Sequence, residues 1–123
     1  MEKIGIKKNW IYEALIETGR EHITPAGVYT TDQEKIKINL YPGKSLKNLQ
    51  ENPTAIIYLI EDTLDLQIKD RKKAEEKTSA KIKVELEKIK PEGDYSTLTF
   101  KIKEIEPWSR IPERRYALIP TGR

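Results

Sequence analysis

Apolar and polar residues alternate along several short segments of this chain, as they do in strands that bury one face. In Lys35–Leu40 every second residue is apolar, and the residues between them are lysine or asparagine. Residues 10–18 alternate in the same way and place Glu13 and Glu17 together on the polar face. We predict both segments as strands, and we expect the two glutamates to face solvent.

Two further alternating segments, residues 80–87 and 95–105, flank residues 90–94, which read Lys-Pro-Glu-Gly-Asp. Proline and glycine in such a cluster favour a turn. Two alternating runs joined by a turn are typical of a β-hairpin. We therefore predict an antiparallel hairpin in the second half of the chain.

Residues 23–31 are rich in β-forming types towards their end, but Pro25 and Gly27 lie near their start. Proline cannot donate to a ladder, and glycine lets another group approach the backbone closely. We therefore expect this strand to lie at a sheet edge or to be bulged near Pro25. Short turns on both sides of it predict an antiparallel meander with its neighbours.

Ala55–Ile60 is apolar without alternation, which is typical of a strand covered on both faces. A small closed barrel covers only the inward face with its own core. The nearby segment 69–79 is nearly all polar and is predicted as a solvated loop or exposed helical turn. Because an exposed apolar strip marks an interface, we predict a homodimer. The alternative is that the proline- and arginine-rich tail, residues 107–123, covers the strip through Trp108, Ile111 and Tyr116.

A turn and a short helix are predicted between these strands. A Pro-Gly pair ends the preceding strand, and Pro53 closes the helix because the residue before a proline disfavours the α region. Ser45 occupies the predicted N-cap, where its hydroxyl would satisfy free amides of the first turn. The start of this helix suits a phosphate or carboxylate, and the alternative is an ordinary capped helix with solvated lysines. The polar side chains at this start are Lys44, Ser45, Lys47 and Asn48.

The number and shortness of the predicted strands indicate a mainly β fold, and such sheets avoid exposed edges by closing into a barrel. With 123 residues the chain fits a single domain, residues 1–123. No apolar run approaches the ~20 residues of a membrane span, and we expect a cytoplasmic protein. Charged residues make up 35% of the chain, as is common in heat-adapted proteins.

The residue types present exclude several kinds of chemistry. The chain has no cysteine, which excludes thiol catalysis and cysteine-ligated zinc, and it has one histidine, His22. The acidic residues Glu61, Asp62 and Asp65 are predicted as a solvated turn rather than a metal site, because a metal needs several converging oxygen ligands. No phosphate-binding glycine motif is present, and no nucleophile with a base can be nominated as catalytic.

A second class of function fits part of the composition. Tyr12, Tyr29 and Tyr58 lie on predicted strands, and the net charge is +3. Small barrels with stacking aromatic residues and basic grooves bind single-stranded nucleic acid. The acidic residues are interspersed with the basic ones, however, so we do not expect a nucleic-acid partner.

Four segments, taken in their order and spacing, resemble a known family. They are Tyr12–Thr18, Thr24–Val28, Tyr41–Leu49 and Ala55–Asp62. The family is the flavoprotein-like domain-of-unknown-function family 447, which is mostly archaeal. It is related to the FMN-binding split barrels, which include flavin reductases and pyridoxamine phosphate oxidases. The family has Thr where this chain has Ser45, a change that keeps the hydroxyl.

The resemblance implies a closed six-stranded antiparallel Greek-key split barrel with one short helix after the third strand. It also implies a homodimer with FMN at the interface, acting as a flavin-dependent oxidoreductase or flavin reductase; a flavin-free scaffold on the same barrel is the alternative. FMN would supply the redox chemistry, so the lack of an obvious acid or base does not count against this function. The implied cofactor-binding residues are Ser45 and Asn48 with Lys44 or Lys47 at the phosphate, and Thr18, Ala26 and Gly27 at the isoalloxazine or ribityl chain.

Overall fold

The computed structural model describes residues 6–60, 67–107 and 120–121. In these residues there are two helices, α1 (Lys44–Glu51) and α2 (Arg71–Lys77). The strands are β1 (Ile11–Thr18), β2 (His22–Tyr29), β3 (Lys35–Leu40), β4 (Thr54–Ile60), β5 (Thr78–Pro91), β6 (Ser96–Pro107) and β7 (Pro120–Thr121).

Six of the strands close into an antiparallel barrel. Their order is β2-β3-β6-β5-β4-β1, and the pairing of β1 with β2 completes the circle. The first three strands form the predicted meander, and β4 returns beside β1, which is a Greek-key arrangement. The mainly β class and the closed six-stranded barrel are therefore confirmed. The short β7 pairs with the start of β1.

The predicted hairpin is confirmed and is longer than the alternation indicated. β5 and β6 pair from Ala80–Pro107 to Pro91–Ser96, with Gly93 at a φ of 85° in the turn between them. The register shifts between Lys83 and Val84, because Lys83 pairs with residue 104 and Val84 with residue 102. Residue 103 is thus an extra residue of β6 at this bulge.

The barrel interior contains the inward residues that alternation predicts. Tyr12, Ala14 and Ile16 of β1 are buried there, and Leu49 of α1 closes one end with Leu46 packed beside it. The largest fully buried side chains of this core are Ile6, Ile16, Ile36, Ile38, Leu49, Ile57, Leu59, Ile82 and Phe100.

The outward face of β4 is also covered, as the unbroken apolar run predicted, but the cover comes from the same chain. Tyr58 and Ile60 pack with Leu15 and with Ala74 of α2 in a second cluster outside the barrel. Residues 71–77 form the predicted exposed helical turn, and the feature that the prediction omitted is the burial of Ala74. Because α2 covers the outer face of β4, burial of this strip gives no reason to expect a second chain there.

The barrel is split between β2 and β3. Residues His22–Val28 all pair with β1, whereas only Val28 and Tyr29 pair with β3. The stretch from residue 22 to residue 27 therefore has an open edge on its β3 side. The prediction of a local strand edge near Pro25 is confirmed.

Two predictions lie outside the described residues. They concern the acidic turn at Glu61, Asp62 and Asp65, and the packing of Trp108, Ile111 and Tyr116 over the barrel. Within the described ranges, no helix is both long and apolar enough to cross a membrane.

Candidate functional site

The start of α1 contacts the β1–β2 end of the barrel through side chains rather than capping itself. The helix begins at Lys44 with Gly43 as N-cap and has no side-chain cap hydrogen bond. The predicted N-cap role of Ser45 is therefore wrong, because the N-cap lies two residues earlier, at Gly43, and Ser45 is the second residue of the helix. The Ser45 hydroxyl instead hydrogen-bonds the Thr24 hydroxyl of β2 at 3.1 Å.

A second contact fixes the helix to the end of β1. The Asn48 side-chain Nδ2 donates to the Thr18 hydroxyl at 3.2 Å, and Thr18 is only 1% exposed. Gly19 follows with a φ of 59°, and a Cβ built there would lie 3.1 Å from Asn48 Nδ2. Two hydroxyls of the barrel and two polar side chains of α1 thus meet at one end of the molecule. We call Thr18, Thr24, Ser45 and Asn48 the helix-start cluster.

Positive charge lies beside the helix-start cluster. His22, the first residue of β2, has its pKa lowered by burial and by the nearby Lys44 and Lys69 ammonium groups. The imidazole is therefore neutral near pH 7, and the local potential is positive. His22 is not among the site residues predicted from the sequence, and only its proximity to Lys44 in the folded chain reveals this environment.

Three predicted site residues, Ala26, Gly27 and Lys47, are not part of the helix-start cluster. Ala26 is buried in the barrel core, so only its backbone could reach a ligand. A Cβ at Gly27 would meet Ile11 Cγ2 at 3.0 Å, which gives this glycine a packing role against β1. The Lys47 side chain is exposed on α1 and makes no hydrogen bond or ion pair with another described residue.

A second buried polar group was not predicted. Glu17, expected to face solvent, is 3% exposed. Its Oε1 accepts a 2.7 Å hydrogen bond from the Tyr58 hydroxyl, and Arg71 Nε donates to Oε1 at 3.2 Å and to Oε2 at 2.9 Å. The prediction was wrong because α2 brings Arg71 over a face that alternation assigns to solvent.

The ionisation of this group follows from its contacts. Burial raises the pKa of Glu17, but the hydrogen bonds from Arg71 and Tyr58 and the attraction of the guanidinium outweigh burial and hold it below its usual value. Burial, and then the bond to Glu17, raise the pKa of Tyr58 well above its ordinary value. Glu17 is therefore an anion and Tyr58 a neutral donor throughout the physiological range.

A family model described as the N-terminal domain of a protein of unknown function, DUF447, matches residues 12–106. The chain belongs to this family. The predicted membership is confirmed, and it extends beyond the residues that carried the resemblance. No curated protein matches the sequence.

Solved structures of flavin proteins share the fold of this DUF447 chain. An FMN-bound protein of the same family from Methanosarcina mazei superposes with a TM-score of 0.70 at 16% identity, covering 89% of this chain. This chain spans 66% of that protein's length.

Two flavin proteins of lower sequence identity share the same fold. The flavin reductase of the styrene monooxygenase from Pseudomonas putida S12 has a TM-score of 0.65 at 9% identity, with 80% and 82% of the two chains covered. An FMN-binding protein from Thermus thermophilus has a TM-score of 0.60 at 10% identity, with 80% and 72% covered. At sequence identities this low, the superpositions show a shared barrel fold and nothing more specific.

Proposed function

We propose that this DUF447 chain is an FMN-binding flavoprotein of the flavin-reductase type. The observation that carries the proposal is the helix-start cluster, in a barrel whose structural relatives include FMN-bound proteins. The proposed phosphate ligands are Ser45 and Asn48, with Lys44 or Lys47 adding positive charge.

The donor chemistry of the site fits a phosphate. Ser45 and Thr24 each carry a hydroxyl that can donate, Asn48 carries an amide, and the first backbone N–H groups of α1 have no acceptor within the helix. The neutral His22 and the Lys44 ammonium stand beside them. An arriving phosphate would exchange the Thr24–Ser45 hydrogen bond for charge-assisted bonds, which are stronger.

The split in the barrel supports the proposed position of the flavin ring. The open edge of β2 includes Ala26 and Gly27, and Thr24 at the helix-start cluster lies three residues before Gly27. At about 3.3 Å per residue, some 10 Å of strand separate Thr24 from Gly27, which gives the ribityl chain room to run along β2. Ala26 could contact the ring only through its backbone, and Thr18 is proposed beside the ribityl chain.

FMN would supply the electron transfer, and the described residues would bind and orient it. The test is a titration of the purified chain with FMN, followed by quenching of flavin fluorescence. We expect saturable quenching and a yellow protein after desalting. A chain that leaves FMN fluorescence unchanged at tens of micromolar flavin contradicts the proposal.

We also propose a homodimer, which rests on the family resemblance alone now that α2 covers the outer face of β4. Sedimentation equilibrium at micromolar concentration measures it. Twice the mass of the 123-residue chain is expected, and the mass of one chain rejects the dimer. FMN titration of the same sample shows whether flavin binding depends on assembly.

A further inference from the structure

A cleft on the outer wall of the barrel is separate from the helix-start cluster. One row of residues crosses four neighbouring strands there, because Glu17 pairs with Ile56, Ile56 with Lys83, and Lys83 with Glu104. The cleft has a volume of about 350 Å³, within the range of small-molecule pockets. We call it the wall cleft. Its lining residues are Glu17, Gly19, Thr54, Ala55, Ile56, Arg71, Lys83, Val84 and Lys103.

The floor and the rim of the wall cleft differ in polarity. Ile56, which is half-buried, is the apolar side chain of the floor, whereas the side chains of Ala55 and Val84 belong to the barrel core. Three cations line the cleft against one carboxylate, and that carboxylate, Glu17, is already bonded to a cation and to a hydroxyl. This combination suits a ligand with an apolar body and a negative end.

The bulge in β6 accounts for one of the cations. Lys103 is the extra residue opposite the Lys83–Val84 step, and bulges re-aim side chains beside binding sites. Lys103 makes no ion pair with any described residue, whereas Lys83 pairs with Glu104 at 3.1 Å where both side chains are about half exposed. Exposed pairs of this kind are weak, so Lys83 can exchange Glu104 for a ligand at small cost.

Glu17 positions the third cation. Its carboxylate accepts hydrogen bonds from Nε and Nη2 of Arg71. Nη1 of Arg71 has no hydrogen-bond partner within the described part of the chain. The guanidinium plane is therefore held in place while one donor edge stays available. A planar fork fixed in this way is suited to a carboxylate.

We propose that the wall cleft binds a small organic acid, with its apolar body on Ile56 and its carboxylate between Lys103, Lys83 and Arg71. The site is distinct from the proposed flavin site, which lies at the helix-start cluster and along β2. Gly19 lines the wall cleft and also packs against Asn48, so the two sites are neighbours through this turn.

The test is a titration of the full chain with cinnamate, an aromatic carboxylate, against cinnamamide, its neutral analogue. Backbone amide shifts in the ¹H–¹⁵N spectrum report the site. We expect saturable shifts at Ile56, Val84 and Lys103 with cinnamate only. The double variant Lys83→Gln/Lys103→Gln should weaken cinnamate by about tenfold or more, since it removes two charged contacts. Lys88→Gln, an exposed change elsewhere on β5, should leave the affinity unchanged.

Three outcomes overturn the proposal: equal binding of acid and amide, shifts that are not saturable, or shifts confined to residues outside the wall cleft. FMN added at saturation should leave cinnamate bound; displacement would assign the cleft to the flavin and reject a second ligand. A chain that binds cinnamate but no flavin would contradict only the proposed function, so the two failures are distinguishable.

Discussion

Arg71 of α2 donates from Nε to both carboxylate oxygens of Glu17, at 2.9 and 3.2 Å. The pair joins a helix of seven residues to the barrel wall, with the carboxylate buried and the guanidinium side chain 45% exposed. Replacing Arg71 therefore leaves a buried anion whose one remaining side-chain partner among the described residues is the Tyr58 hydroxyl.

Arg71→Ala should lower the free energy of unfolding by about 2–3 kcal/mol at pH 7, the cost of depriving a buried charged group of its partner. Urea denaturation measures the change. Lys72→Ala, on the exposed side of α2, is the matched control and should have almost no effect. Equal midpoints for the two variants would mean that the pair contributes nothing.

The contribution of Glu17 should depend on pH in a defined direction. Its folded-state pKa lies below the ordinary value of 4.5, so its stabilisation is complete above that pH. The contribution is lost as the pH falls through the folded-state pKa. The stability difference between the native chain and Arg71→Ala should therefore shrink on acidification, and a constant difference would exclude the pair as its source.

Ser45→Ala/Asn48→Ala should weaken FMN far more than riboflavin, which lacks the phosphate. Each charge-assisted hydrogen bond lost is worth about 1.5–3 kcal/mol. Fluorescence titration with both flavins measures the ratio, and riboflavin binding also reports whether the variant is folded. Gln50→Ala, exposed on the same helix, is the control. Equal losses for the two flavins would remove both residues from the phosphate site.

Gly19→Ala should destabilise the chain for two reasons. A φ of 59° disfavours any residue with a Cβ, by about 1–2 kcal/mol, and the new methyl would press on Asn48. Gly93→Ala is the control that separates backbone strain from the steric contact. Gly93 has a φ of 85°, but no atom lies within 4 Å of the added Cβ. The Gly19 variant should melt at the lower temperature. Combining it with Asn48→Ala should cost less than the sum of the single changes.

His22 is the only histidine of the chain, so its proton resonances can be assigned without ambiguity. Its pKa should lie below 6.5, and Lys44→Gln should raise it because one repelling charge is gone. Lys47→Gln is the control and should leave it unchanged. Bound FMN should raise the pKa if the phosphate lies beside the imidazole, and an NMR titration checks all three.

Alternation predicted the strands well because one buried face imposes a period of two on the sequence. β3 has the predicted bounds, and β1 and β6 each lie within a residue or two of theirs. α2 was missed as a packed helix because it buries only Ala74, and a single apolar residue creates no period. The burial of Glu17 was missed for the same reason, since its cover is α2.

Part of the predicted residue set lies close together in the fold, and its role at a flavin stays a prediction. Ser45, Asn48 and Thr18 were named from sequence and meet in the fold, although Ser45 does so through Thr24 rather than as a cap. Contacts between distant strands leave no local pattern, so neither Thr24 nor His22 could be recognised from its neighbours in the chain.

The split between β2 and β3 also exposes the barrel to unwanted association. A strand with an unpaired edge is a template on which other chains can add, the first step towards aggregates. Pro25 lies within the open edge of β2 and has no N–H to offer an incoming strand. Pro25→Val should therefore increase turbidity on prolonged incubation near the melting temperature, while Pro91→Val, at the end of β5, should not. The proline that interrupts this strand would then keep separate molecules from joining their sheets.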